Sequence, residues 1–194
     1  MKGFSKLITA PVNSPISFEQ AADHLRLDEI ERDTIESLIE VAREHIEGKN
    51  GWLGRVLITQ TWELTLDSFP CNGIELPLAP VQEVESVTYL DQNGVRQTLS
   101  GANYTVTDTE PARIIPVYGA SFPTARCYPG SIKVTYVAGY GDDSDFIPSP
   151  IKQAMLLLIG HFYENREIVV TGATVAQIPY AVDALLNPYR LSWL

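Results

Sequence analysis

The spacing of apolar residues changes from helical to alternating and back again along the chain. Helical spacing in the outer parts and two-residue alternation between them predict an α+β fold, in which a helical base of four helices is interrupted by an antiparallel β insertion. We divide the sequence accordingly. Residues 1–54 hold a leader and helices of the base, 55–140 form the β insertion, and 141–194 hold a core helix, an arm, a short helix and a tail.

The first part of the chain carries a clear helix start. Residues 1–13 show no regular pattern, so we expect an irregular leader. Ser17 followed by Gln20 has the form of a capping box, in which the two side chains satisfy backbone N–H groups of the first turn. A short helix through about Leu25 follows from it.

A second, longer helix follows the first. Asp28 to Glu31 repeats the capping signature, and Gly48 can end the helix after about Glu47. Five apolar residues at helical spacing give this helix one buried stripe, namely Ile35, Leu38, Ile39, Ala42 and Ile46.

Residues 149–167 predict the helix around which the rest of the chain is organised. Ser149 is a favourable N-cap, and Pro150 suits the first turn. Apolar side chains then cover nearly every side of the helix, namely Ile151, Ala154, Met155, Leu156, Leu157, Leu158, Ile159 and Phe162. The apolar run is shorter than the roughly 20 residues that span a bilayer. We therefore interpret it as a helix buried in a core or at a subunit interface.

The β insertion is predicted from alternating and β-branched stretches over 62–66, 81–90 and 132–136. Asp91-Gln92-Asn93-Gly94 predicts a hairpin, because Asn and Gly tolerate the positive φ of tight primed turns. Cys71-Asn72-Gly73 is a weaker hairpin signal. We expect Trp62 to be a core residue of this region. After the core helix, 179–186 predicts a short helix.

Charge and cysteine content limit the function classes. A net charge of −10 repels phosphate, and no basic cluster stands out, so gripping nucleic acid is disfavoured while passing close to DNA is not. Cys71 and Cys127 lack the spacing of a disulfide framework or a zinc site. With no secretory signal pattern at the start of the sequence, we expect synthesis in a reducing cytoplasm.

The residues that could carry chemistry each have a simpler interpretation. His24, His45 and His161 have no second ligand at helical spacing, so we interpret them as packed or surface histidines. Residues 142–145 lack the later Gly and Glu of a calcium loop, and 139–141 lacks the Lys of a phosphate loop. We predict no catalytic, metal-binding or cofactor-binding residue.

Taken together, several short motifs make the chain resemble the head–tail connector (adaptor) proteins of long-tailed bacteriophages and gene transfer agents. The resemblance is to the subgroup with a β region between two helical parts, and it depends on the order and spacing of the motifs. The motifs span nearly the whole chain after the leader. They are Leu57 to Trp62, Ile74 to Pro77 with Pro80 and Val81, Val87 to Tyr89, Val137 to Asp142, Pro150 to Ala154, His161 to Glu167, and Asp183 to Leu186 with Pro188 to Arg190.

This resemblance implies a structural virion protein made in the bacterial host and located in the neck. Its copies would form a ring, expected to be a dodecamer, beneath the portal protein. The ring would extend the conduit for double-stranded DNA, which passes without sequence-specific binding, and would receive a stopper or tail-completion protein. Two alternatives stay open, namely another neck component and a β-rich carbohydrate- or receptor-binding module. An enzyme, a cofactor or a membrane partner is not expected.

Six residues are the candidate interaction sites. Gly160, in the middle of the core helix, marks either a close crossing of two helices of one chain or a contact between subunits. The other five lie in the last residues of the sequence, which either order against the portal or a neighbouring subunit or fold back onto their own domain. These residues are Tyr189, Arg190, Leu191, Trp193 and Leu194. The arm, 168–178, is a second candidate contact.

Overall fold

The structure, a computed structural model, describes residues 3–27, 31–165 and 180–191. These residues form two compact units, a helical unit from 13–58 and 141–191 and a strand unit from 3–12 and 59–140. Most of the strands come between the N-terminal and the C-terminal helices, so the prediction of an α+β fold with a helical base and an antiparallel β region is confirmed. The predicted first part, 1–54, contributes to both units.

The helical unit contains four described helices. They are α1 (Phe18–Leu25), α2 (Arg32–Ile46), α3 (Ser149–Glu164) and α4 (Tyr180–Leu186), with a single 3-10 turn, Asn187–Tyr189, after α4. The third helix contacts each of the other three. None of the helices described in the structure is both long enough and apolar enough to cross a membrane.

The helix ends agree with the predicted signals in part. The capping box of α1 is present, since the N–H of Gln20 donates to Ser17 Oγ at 3.2 Å and the N–H of Ser17 donates to Gln20 Oε1 at 3.0 Å. For α2, the first described helical residue is Arg32, and the predicted start at Asp28 lies outside the described residues.

The start of α3 differs from the prediction by one residue. Pro148, with extended backbone, is the N-cap, and Ser149 is already helical. Pro150 lies in the first turn as predicted. At the other end, Asn165 caps the helix by donating from Nδ2 to the carbonyl oxygen of His161 at 2.8 Å. The predicted end at 167 lies outside the described residues.

The strand unit holds two antiparallel sheets. Its strands are β1 (Phe4–Thr9), β2 (Gln60–Leu66), β3 (Ile74–Glu75), β4 (Val81–Leu90), β5 (Arg96–Thr98), β6 (Tyr104–Val106), β7 (Arg113–Pro116) and β8 (Ile132–Ala138). One sheet has the order β1-β2-β8-β4-β5 and the other the order β3-β7-β6. The strands predicted over 62–66, 81–90 and 132–136 are confirmed as β2, β4 and β8.

The register of the larger sheet explains the alternation in the sequence. Leu64, Val134 and Val87 are cross-strand neighbours, and all three are buried. The opposite face is polar, and there Lys133 Nζ lies 2.9 Å from Glu63 Oε1. Because adjacent residues of a strand point to opposite faces, the two-residue period puts apolar residues on one face and polar residues on the other.

Three predictions for the strand unit need correction. Phe4–Thr9 is not an irregular leader but the edge strand β1, which pairs with β2. Its apolar residues do not alternate, because partner strand β2, rather than burial of one face, fixes its conformation. Trp62 is half-buried rather than a full core residue, since its neighbour on the edge strand, Leu7, is 39% exposed. The turn at Gly73 leads into β3, which pairs with β7 instead of forming a hairpin with β2.

The predicted hairpin at Asp91-Gln92-Asn93-Gly94 is confirmed between β4 and β5, but its turn is not a two-residue primed turn. The N–H of Gly94 donates to the carbonyl oxygen of Asp91 at 2.9 Å, and Gly94 has φ of 80°. Asn93 does not have a positive φ. The loop is therefore a longer turn closed by a left-handed glycine, the form that usually accompanies a bulge.

Candidate interaction surfaces

The third helix is covered by its own unit more completely than the sequence suggests. Its buried residues are Ile151, Ala154, Met155, Leu158 and Ile159. The remaining large apolar residues of the helix, Leu156, Leu157 and Phe162, are half-buried, and none of them is fully exposed. The ring of Phe162 meets that of His45 on α2 edge to face, with 6.5 Å between centroids. These three side chains lie on different sides of the helix, so α3 offers a partner separate half-buried apolar side chains and not one continuous apolar face.

Gly160 lies where α3 crosses α1. A Cβ added at Gly160 would lie 3.8 Å from His24 Nε2 and 3.8 Å from Leu25 Cδ2. These are ordinary van der Waals distances, so the crossing does not exclude a side chain here. The observed neighbours are those of the crossing within one chain, and a contact with another subunit at Gly160 stays a prediction.

The last described residues fold onto the loop that follows α2. The N–H of Leu191 donates to the carbonyl oxygen of Leu53 at 2.9 Å, and the Leu191 side chain is 5% exposed. The guanidinium of Arg190 lies over the Trp52 ring, 4.7 Å from its centroid. Trp193 and Leu194 lie outside the described residues. The chain is therefore attached to its own helical unit as far as Leu191.

A buried arginine completes this attachment. Arg55 is 8% exposed, and its Nε donates to the carbonyl oxygen of Tyr189. Its loop is fixed in turn by Glu47, whose Oε1 accepts the N–H of Leu57 at 2.8 Å. A Cβ at Gly51 would lie 2.1 Å from the carbonyl oxygen of Glu47, so the turn requires glycine.

Sequence reasoning did not find the part played by Trp52 and Arg55. The available signal was an arginine directly before the apolar run 56–58, since a charged residue inside an apolar segment is usually paired when it is buried. Its partner is a backbone carbonyl more than a hundred residues away, and no local pattern identifies such a partner.

Large exposed apolar side chains occur on several elements other than α3. On β1 and directly after it they are Phe4, Leu7, Ile8 and Val12, and elsewhere they include Val95, Tyr118, Tyr128, Phe146 and Tyr180. The residues of β1 are neighbours in one strand, whereas most of the others are single side chains. Single exposed apolar residues are common on protein surfaces, while neighbouring ones indicate an interaction site.

The residues considered for chemistry have structural roles. Asn13 Nδ2 donates to the carbonyl oxygen of Asp142 at 2.9 Å and to Asp143 Oδ1 at 3.0 Å. Within the part of the chain that the structure describes, no three His, Cys, Asp or Glu side chains are grouped to hold a metal ion. Cys71 and Cys127 are exposed free thiols.

The pKa shifts in the structure also have structural causes. At Asp91, the N–H of Val95 chiefly lowers the pKa of the carboxyl, with further donors in the same hairpin. At Glu19, in the first turn of α1, hydrogen bonds from its own backbone N–H and from Ser17 lower the pKa. Burial raises the pKa of the Tyr136 phenol, which lies inside the strand unit. Asp91 thus stabilises a turn, Glu19 stabilises the start of a helix, and Tyr136 is part of a core.

Comparisons with known proteins find similar proteins over nearly the whole chain. The head completion protein family matches residues 15–192. A chain in the neck of an empty gene transfer agent (GTA) particle, computed with C6 symmetry, has 26% identity and a TM-score of 0.79 over 98% of this chain and 97% of that chain. A chain in the virion of a native GTA particle has 25% identity and a TM-score of 0.80 over 98% of this chain and 96% of that chain.

A further chain shows the fold alone. It belongs to the neck of a native GTA particle computed with C12 symmetry, and it has 23% identity and a TM-score of 0.70 over 98% of this chain and 97% of that chain. None of the curated proteins compared with this sequence matches it. From the family match over most of its length and the similarity to neck structures, the chain belongs to the head completion protein family and is a structural protein of a phage or GTA neck, not an enzyme.

Proposed function

We propose that the chain is the head–tail connector (adaptor) of its particle, whose copies form a ring beneath the portal and extend the DNA conduit towards the stopper or tail. The observation that carries this proposal is the similarity, over 98% of the chain, to a chain from a GTA neck computed with C6 symmetry. Symmetry of this kind repeats one contact between copies around an axis. A dodecameric ring is compatible with it.

A ring requires two different surfaces on each copy, because a closed cyclic assembly is built from heterologous contacts. The neighbouring half-buried side chains Leu156 and Leu157 of α3 contribute to one such surface. Covering a half-buried side chain removes little apolar area from water, so each contact is modest. Closure of the ring combines the contacts of all copies, which stabilises an assembly whose single contacts are weak.

The portal contact is proposed for the last residues of the sequence, including Trp193 and Leu194. What supports it is the attachment at Leu191, whose backbone is bonded to Leu53 and whose side chain is buried. An attached chain loses less conformational entropy when its next residues bind a partner. Trp and Leu are apolar anchors that gain from such burial.

The acidic composition fits a conduit wall. With a net charge of −10, the surface repels phosphate instead of pairing with it, and double-stranded DNA can pass without being held. Repulsion acts over about 8 Å at physiological salt, so only the residues nearest the bore contribute.

Light scattering of the purified chain with and without portal protein tests the proposal. We expect a monomer alone and a ring when portal is present, because the portal arranges the copies side by side. A stable ring without portal would show that the copies do not need the portal to assemble. Binding to stopper or tail-completion protein but not to portal would assign the chain to another position in the neck.

A further inference from the structure

The first strand of the chain leaves one edge of the larger sheet open. β1 pairs with β2 along one side, and no described strand pairs with its other side. Proteins usually protect such an edge with charged residues, Pro, bulges or very short strands. β1 has six residues with one charge, Lys6, and an irregular register between Leu7 and Thr9. Its protection against pairing is therefore slight.

Apolar side chains are exposed on both faces of this edge. Phe4 is 70% exposed on the face that carries Lys6, Leu7 is 39% exposed on the other face, and Ile8, at the register shift between Leu7 and Thr9, is 51% exposed. The opposite edge of the sheet is different, since β5 has only three residues and they are polar. An open edge with apolar side chains on each face is the surface that receives an added strand in β-augmentation, where backbone hydrogen bonds provide affinity and side-chain pockets provide specificity.

The chain also contains a segment suited to this edge. Fourteen residues, 166–179, connect Asn165 to Tyr180, although α3 and α4 contact each other. Contacting helices are usually joined by about 2 to 8 residues, so the connection is longer than the helix pair needs. Its middle part, 168–178, is uncharged and rich in Val, Ile, Thr and Ala. β-Branched residues favour strands, and the absence of charge matches an apolar edge.

We propose that the open edge of β1 receives residues 168–178 of a neighbouring copy as an added β-strand. The inference rests on the ring of the proposed function, and it supplies the two different surfaces that a cyclic contact needs, the edge on one copy and the segment on the next. Leu156 and Leu157 on α3 would then belong to an additional contact of the same ring.

Cross-linking between two variants tests the pairing. Both variants carry Cys71→Ser and Cys127→Ser, because the native thiols are exposed. One also carries Lys6→Cys, and the other carries Thr174→Cys. They are mixed, assembled with portal protein and treated with a short bis-maleimide. A product joining one chain of each variant supports the proposal. Val95→Cys, on the hairpin next to β5, replaces Lys6→Cys in the control and should give no such product.

Each other outcome has a definite meaning. A ring that forms without the mixed product overturns the strand addition and leaves the connector proposal standing. A product between Lys6→Cys and the portal assigns the edge to the portal and also overturns the inference. If no ring forms in any condition, the proposed function itself fails, and this inference fails with it.

A second pair of variants measures the importance of the edge without cross-linking. Ile8→Lys adds charge to the open edge. Val95→Lys makes the same kind of change at a residue of similar exposure, 54%, next to the opposite edge strand of the sheet. We expect loss of portal-dependent ring formation with Ile8→Lys, unchanged ring formation with Val95→Lys, and unchanged thermal unfolding for both. Ring formation by Ile8→Lys at the wild-type level would overturn the proposal.

Discussion

The backbone N–H of Leu191 donates to the carbonyl oxygen of Leu53 at 2.9 Å, and this bond attaches the end of the described chain to the loop after α2. The Leu191 side chain is buried at the same place. Leu191→Ala should therefore lower the free energy of unfolding by about 2 to 4 kcal/mol, as large-to-small changes at buried sites do. Urea unfolding measures the change, and a loss below about 0.5 kcal/mol would contradict the burial of this side chain.

The residues beyond Leu191 should behave differently. The double variant Trp193→Ala with Leu194→Ala should bind portal at least about tenfold more weakly, because two apolar anchors are removed. Its stability should stay within about 0.5 kcal/mol of wild type if these residues serve a partner. Portal binding by light scattering, together with urea unfolding, separates the two roles. A large loss of stability with portal binding intact would show that the tail packs on its own unit.

The hydrophobic pattern was sufficient to predict the helices and main strands, because burial of one face or stripe repeats along the sequence. It did not reveal β1. Phe4–Thr9 has no regular alternation, and its strand conformation depends on pairing with β2, more than fifty residues away. The same limit applied to Arg55, whose carbonyl partner at Tyr189 is distant in sequence.

The candidate interface was predicted only in part, for a related reason. The all-round apolar character of α3 indicates many neighbours, but a sequence does not say whether they come from the same chain. In the structure three helices of the same unit cover most of it, and a group of neighbouring exposed apolar residues lies on β1 instead. Which surfaces stay open depends on packing between elements, and a local pattern does not contain that information.

Gly160 allows a direct test of the two interpretations of the core helix. Gly160→Ala places a methyl group at ordinary contact distance from His24 and Leu25, and Ala favours the helix by up to about 1 kcal/mol. We expect a small increase in thermal stability and unchanged ring formation if Gly160 only serves the crossing with α1. Ring formation that falls while stability rises would show that another subunit contacts this position.

The hairpin between β4 and β5 should depend on pH through Asp91. Asp91 Oδ1 accepts the N–H groups of Asn93 and Val95, each at 2.9 Å, and these bonds favour the charged carboxylate. The pKa of the Asp91 carboxyl is therefore lowered from 3.8. The stability that these hydrogen bonds add to the folded hairpin is present above 3.8 and is lost as the pH falls through the lower folded-state pKa.

An NMR titration of the Gly94 amide measures this effect. Its midpoint should lie below 3.8, and Asp91→Asn should remove the transition. A midpoint at or above the ordinary value would mean that the turn does not favour the charged carboxylate.

The ring contact proposed for Leu156 and Leu157 of α3 can be tested with two substitutions, the second of them on α2. Leu157→Lys introduces a charge at a half-buried position, and Val41→Lys introduces one at an exposed apolar position of α2. We expect Leu157→Lys to abolish portal-dependent ring formation, because a charge in an apolar subunit contact is desolvated without a partner. Its stability should fall by about 1 kcal/mol, within the usual range for single substitutions. Val41→Lys should change neither property, so normal rings from Leu157→Lys would exclude Leu157 from the ring contact.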